Sequence, residues 1–212
     1  MKLISIISLV IPDIKVIKFE RFCDHRGYFT EPFRKSDFWG HRDLKVVFDG
    51  IEFVQSNESF SRGGVIRGLH FQWNPYMGKL VRTLSGRMVD VVVDIRKNSP
   101  TLGKVIAYDM PVDPANDHSE WIWVPPGFAH GNIFTEDTLI EYFCSGEYSQ
   151  GCEGAISPLS KDLDWFLCDA ELKQLFQKHI ERPELLITDK DRQAPSLKEW
   201  LQDERSNNFI WK

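Results

Sequence analysis

The chain lacks most of the signals that assign a protein at sight. Its four cysteines (Cys23, Cys144, Cys152 and Cys168) form no CxxC pair and no metal-binding spacing. That pattern speaks against a zinc module or a disulfide framework and for reduced thiols in the cytoplasm. Positive charge is not in excess: the net charge of -5 argues against general nucleic-acid or membrane-surface binding. Long hydrophobic runs are missing too. The N-terminal "LISIISLVI" is too short to span a bilayer and no small-x-small cleavage site follows it, so it reads as a β-strand. No internal repeat or low-complexity stretch is present, and few helical patterns interrupt the middle of the chain, which disfavours a βαβ architecture.

What is present is a series of short runs rich in Val, Ile and Phe between about residues 43 and 148. "DLKVVFDG", "VIRGLHFQ", "GKLVRTLSG", "RMVDVVVDIR", "GKVIAYDM", "WIWVPP" and "NIFTEDTLIEYF" are separated by Gly, Pro, Asn and Asp. Such spacing predicts the strands of a sandwich or barrel. Helices are expected only late, in "DWFLCDAELKQLFQKHI" and in "PSLKEWLQDE", where Ser196 and Glu199 form a capping-box signature. At 212 residues the chain fits one domain, residues 1–212, with 165–212 as C-terminal helical decoration.

Two residues sit oddly in this pattern. His70 and Lys79 lie in strands otherwise built for burial, and an unpaired buried charge costs several kcal/mol. In "RMVDVVVDIR", Val89, Val91, Val93 and Ile95 share one face, while Asp90, Val92, Asp94 and Arg96 share the other. Taken alone, the second face reads as solvent-exposed. Regular alternation also sends Arg67 and His70 to opposite faces, unless Gly68 permits a bulge.

The spacing Pro125-x-Gly127-x-x-His130 resembles the second motif of the cupins, with the first motif upstream around "GLHFQWNPYMGKLVRTLSG". Metal-binding cupins offer His-x-His, a carboxylate and a last His. Here Gln72 stands at the second His, and Lys79 stands where the carboxylate is expected. A charged ammonium has no lone pair and repels a cation, so no metal is expected.

Six segments, "DHRGYFTEPF", "FVQSNESFSRGGVIRGLHFQ", "GKLVRTLSGRMVDVVVDIRKNSPTLGK", "VPPGFAHG", "EYFCSGEY" and "ITDKDRQAP", resemble in order the dTDP-4-dehydrorhamnose 3,5-epimerase family. The resemblance implies an all-β cupin-type antiparallel jelly roll of two packed sheets with short C-terminal helices. It implies an epimerase without cofactor, acting at C3 and/or C5 of a nucleotide-diphosphate 4-keto-6-deoxy sugar. Such chemistry needs a base, an oxyanion stabiliser and an acid across the ring. By resemblance these are His70 with Asp191 as its partner, Lys79, and Tyr142. Arg26 and Arg67 match diphosphate-binding positions. Glu31, Gln55 and Asn57 match the lining of the sugar and base pocket, Tyr148 an aromatic beside the nucleotide, and His130 with Asp90 a second His–Asp pair.

The apolar N-terminal strand has no obvious partner within the chain, and family members exchange strands across a two-fold axis, so a homodimer is expected. Pro126, Asn132, Gln150 and a long stretch before Ile187 depart from the family pattern and leave the nucleotide, the sugar and the epimerised carbon open. A metal-dependent cupin oxygenase or isomerase, or a non-catalytic sugar-nucleotide binding module, are the competing functions.

Overall fold

A computed structural model describes residues 2–211. In chain order its strands are β1 (Leu3–Ser8), β2 (Lys15–Glu20), β3 (Phe22–Asp24), β4 (Gly27–Phe29), β5 (Gln55–Ser61), β6 (Ile66–Gln72) and β7 (Lys79–Ser85). They continue as β8 (Arg87–Asp94), β9 (Val105–Pro111), β10 (His118–Val124), β11 (Phe128–Phe134), β12 (Thr138–Cys144) and β13 (Glu153–Ala155). The helices are α1 (Lys35–Gly40), α2 (Arg42–Val47), α3 (Ala170–Ile180), α4 (Asp189–Arg192) and α5 (Leu197–Gln202).

Two antiparallel sheets form the jelly roll. One has the order β1-β2-β10-β7-β12-β5, the other β13-β6-β11-β8-β9, and β3 and β4 pair as a separate hairpin. Val81, Ile122 and Ile140 from the first sheet meet Met88, Val92, Ile106 and Phe134 from the second in the interior. Each sheet is also covered on its outside. Behind the first sheet, Phe38, Leu44 and Phe48 of the α1–α2 segment pack on Phe19, Leu80, Trp121 and Trp123. Behind the second, Phe176, Leu197, Trp200 and Phe209 pack on Val89, Val91 and Val93.

This double cover corrects two expectations. The second face of β8 is not solvent-exposed: Asp90 and Asp94 are both fully buried. The Val face points outward under the C-terminal helices, which turns the polar face into the sandwich. "DLKVVFDG" is not a strand either, because Arg42–Val47 is helical. His41 caps it by accepting from Asp43 N, and its apolar residues serve a helix packed on the sheet rather than a strand within it. The N-terminal strand also finds a partner in the chain, since β1 pairs with β2 through a turn in which Ile14 N donates to Ile11 O.

The late helices follow the sequence more closely. Asp169 caps α3 through Glu171 N and Leu172 N, and Ser196 and Glu199 complete the capping box of α5. The box fixes the entry of α5, so Trp200 stacks near Phe71 and Trp73, with ring centroids 4.6 and 5.9 Å away. Truncating a buried aromatic of this size costs about 3–5 kcal/mol. Trp200→Ala is therefore expected to lower the denaturant midpoint by that equivalent; a loss below about 1 kcal/mol in urea unfolding would mean the C-terminal segment is not integral to the outer core.

Candidate active site

The two sheets splay to enclose a cavity of about 700 Å³, lined by Arg67, His70, Lys79, His130, Asn132, Tyr142 and Asp191 among others. Its floor depends on an irregularity. β6 pairs with β11 so that His70 lies opposite His130 and Arg67 opposite Asn132. Three steps on β6 thus match two on β11, which is a bulge. The extra residue falls at Gly68, whose φ is +105°. A Cβ there would sit 2.6 Å from Gly131 Cα and 2.8 Å from His130 O, so only glycine fits. The bulge brings Arg67 and His70 to one cavity despite their odd spacing.

His70 Nε2 lies 2.7 Å from Asp191 Oδ1. A carboxylate only accepts, so the facing ring nitrogen carries a proton, and in the neutral ring the lone pair is on Nδ1. Asp191 is held in turn. Gly68 N donates to its Oδ2, and Thr188 Oγ1, the cap of α4, accepts from Asp191 N. Burial opposes charge on Asp191, but His70, the Gly68 amide and the Thr188 side chain outweigh it and keep the carboxyl below its ordinary value.

Lys79 and Tyr142 stand on the opposite sheet. Register places Cys144 beside Lys79 and Tyr142 beside Val81, so all four share one face of the β7–β12 pair. Neither the Lys79 ammonium nor the Tyr142 hydroxyl has a hydrogen-bond partner among the described residues. Burial lowers the Lys79 pKa, and Cys144, Asp90 and Glu153 only partly offset it. Burial also pushes the Tyr142 phenol up, as does Cys144, while Arg67 pulls it back. The Cys144 thiol is itself raised by burial and stays neutral, so it does not neutralise Lys79.

A second His–Asp contact lies deeper. His130 Nε2 is 2.7 Å from Asp90 Oδ2, which also accepts from Asn132 Nδ2 at 3.1 Å. Gln72 is spent on structure: its amide donates to Pro75 O and Glu147 O and accepts from Ser149 N, closing two loops.

The chain does not bring every expected residue to this cavity. Arg26 is on the exposed β3–β4 hairpin, paired with Asp24 at 2.6 Å, and Glu31 pairs with Arg34. Both are absent from the lining: Arg26 lies at the turn of a hairpin that is a sheet of its own, and Glu31 lies in the segment that follows it. Gln55 and Asn57 share the inward face of β5 with Ser59, which does line the cavity, and Asn57 donates to Cys144 Sγ. Tyr148 is exposed beside the mouth, and its hydroxyl donates to Glu153, which also binds Lys190. Leu185, Leu186, Ile187, Thr188 and Lys190 complete the wall and were not anticipated. Only Thr188 had a local signal, as a capping residue ahead of Asp191.

A jelly roll with a carboxylate-oriented imidazole facing a phenol and an ammonium across one cavity defines a class: isomerases of the carbohydrate-epimerase type. A family model described as dTDP-4-dehydrorhamnose 3,5-epimerase matches residues 8–199. A dTDP-4-dehydrorhamnose 3,5-epimerase from Shigella flexneri is 38% identical over 165 residues, covering 76% of this chain and 86% of that protein. Among solved structures, dTDP-6-deoxy-D-glucose-3,5-epimerase from Legionella pneumophila in complex with dTDP-4-keto-L-rhamnose superposes with a TM-score of 0.78 at 30% identity, covering 98% of each chain. A 3'-monoepimerase from Streptomyces bikiniensis in complex with dTDP-quinovose gives 0.66 at 26% identity, covering 95% of this chain and 90% of the other. The chain belongs to the dTDP-4-dehydrorhamnose 3,5-epimerase family, and its activity is that of a sugar epimerase.

Two measurements test this geometry. Gly68→Ala is expected to disrupt the bulge, reducing epimerisation at least about tenfold and destabilising the fold by more than about 1 kcal/mol; wild-type stability and activity would show that the bulge tolerates a side chain. The second concerns Lys79, whose folded pKa lies below its unfolded value near 10.5. Its charged form is therefore penalised by folding below the folded pKa, and stability rises with pH between the two values. Lys79→Met is expected to be more stable than wild type by about 1 kcal/mol at pH 7, with a gap that narrows toward pH 10.5 in urea unfolding. A variant less stable than wild type at pH 7 would contradict the burial of that charge.

Proposed function

We propose that the substrate is a dTDP-linked 4-keto-6-deoxy sugar and that the carbons flanking the ketone, C3 and C5, are inverted in turn. His70 Nδ1 takes the proton from the carbon beside C4. The C–H electron pair becomes the new carbon–carbon double bond, and the carbonyl electrons move to O4. Lys79 stabilises the resulting enolate, and Tyr142 returns a proton to the opposite ring face. His70 and the tyrosinate then exchange with solvent, which resets the site. Asp191 orients the imidazole and favours its charged form after abstraction. No cofactor enters these steps. The observation that carries this reading is the placement of His70 and Tyr142 on facing sheets, so that a flat enolate between them meets a base on one side and an acid on the other.

Arg67 is assigned to the diphosphate: its Nε and Nη2 bind Ser61 Oγ and Phe60 O, which fixes the guanidinium at the cavity rim. Arg26 and Glu31 act at the cavity of a second copy in a homodimer. Supporting this, the hairpin exposes Phe22, Tyr28 and Phe29, and the outer edge of β1 is unpaired with Ile4 and Ile7 exposed. Gln55, Asn57 and Tyr148 line the nucleotide side, and the His130–Asp90 pair supports the floor. The 212 residues form one domain, at work in the cytoplasm, in keeping with four free thiols. Among the described residues no helix is long and apolar enough to cross a membrane.

The test is incubation with dTDP-4-keto-6-deoxyglucose in deuterated water, followed by NMR at C3 and C5. Wild type is expected to incorporate deuterium with inversion, and chelator to change nothing. His70→Ala should lose exchange at both carbons. Tyr142→Phe should retain some exchange with original configuration while inversion falls about 10²–10⁴-fold. Lys79→Met should slow both together, because the enolate is common to them. Inversion by Tyr142→Phe at the wild-type rate would remove that residue from the mechanism.

A further inference from the structure

Asn132 has no part in the proton transfers, yet its side chain occupies the cavity wall while the residue is 7% exposed. Burying an amide costs free energy unless its groups are paired. One side is paired. Asp90 Oδ2 lies 3.1 Å away, and a carboxylate accepts only donors, so the nitrogen must face Asp90. Met88 Sδ, also 3.1 Å from Nδ2, takes the second donor. Both N–H groups are thus engaged, and Oδ1 is left as an acceptor with no hydrogen-bond partner among the described residues. Its aim is fixed because Asp90 is itself pinned by His130 at 2.7 Å.

The position of this acceptor relative to the proposed chemistry follows from the register. The His70–His130 row lies where carbon-bound protons are removed, and Asn132 lies in the next row, opposite Arg67. If Arg67 holds the diphosphate on C1, the sugar runs from the Arg67–Asn132 row toward the His70–His130 row. The hydroxyl-bearing carbon between C1 and the reacting C3 is C2. A hydroxyl can donate to Oδ1, whereas a C2 methylene leaves a buried acceptor without a partner. From this geometry we infer that Asn132 is a specificity-determining residue that accepts a hydrogen bond from the C2 hydroxyl and selects 2-hydroxy over 2-deoxy 4-keto sugars. The inference rests on the proposed substrate orientation and deepens it.

The test compares kcat/KM for deuterium incorporation with dTDP-4-keto-6-deoxyglucose and with its 2-deoxy counterpart. Wild type is expected to prefer the 2-hydroxy sugar by about 10–100-fold, the range set by leaving a buried acceptor unpaired. Asn132→Leu should bring that ratio within about threefold of unity, mainly by losing rate on the 2-hydroxy sugar. Equal use of both sugars by wild type overturns the inference without any variant, so a Leu variant that folds poorly does not protect it. A wild-type preference that Asn132→Leu retains also overturns it, because selection then lies elsewhere. Turnover of neither sugar by wild type would be a different failure, removing the proposed substrate and the inference with it.

Discussion

Gly68 and Leu69 on β6 stand against Gly131 alone on β11, and the arrangement of the cavity floor depends on that mismatch. In a regular strand the Arg67 and His70 side chains would leave on opposite faces, one into the cavity and one under the C-terminal helices. The bulge at Gly68 returns both to the interior. It also turns the Gly68 amide toward Asp191, so the irregularity that aims His70, the proposed base, helps to hold the carboxylate beside it. Gly131 makes the approach possible from the other strand, since a Cβ there would lie 2.3 Å from Arg67 O. Two glycines thus allow close contact of two backbones where the proposed base, its partner and a cation must meet.

The cavity has two chemically distinct walls because the sandwich has two sheets. One contributes carboxylate-paired imidazoles and the Asn132 amide. The other contributes an ammonium and a phenol with no hydrogen-bond partner among the described residues. Covering both outer faces with aromatic-rich segments makes the interior a poor place for charge, which is why Lys79 is held below its ordinary pKa. A poorly solvated ammonium gains more from a developing oxyanion than a hydrated one does. In the proposed mechanism, the stability given up by burying Lys79 is the cost of that readiness.

The C-terminal region is more than decoration. Its helices bury the valine face of β8, and the chain between α3 and α4 supplies Leu185, Leu186 and Ile187 to the cavity wall before Asp191 is delivered from α4. Leu186 is tied to the rim of the second sheet, with Ile66 N donating to its carbonyl at 3.0 Å. The segment therefore links outer packing to the site, and its apolar side chains give the cavity a wall that carries no charge.

The sequence by itself determined the β-rich fold class, the capping box of α5, the strands bearing His70, Lys79 and Tyr142, and the family to which their motifs belong. These are local: short apolar runs, turn residues and ordered motifs are written in contiguous residues. It misread "DLKVVFDG" as a strand and the polar face of β8 as solvent-exposed, since short apolar runs do not show what will cover them. Tertiary structure alone decided that Arg67 and His70 share a cavity, because a bulge is a property of two paired strands and not of either one. It also decided that Asn132 presents an acceptor, since only the nearby Asp90 carboxylate fixes which way the amide faces. And it put Arg26 and Glu31 away from this chain's cavity, because pairing between β3 and β4 carries Arg26 out on a separate hairpin and Glu31 follows that hairpin.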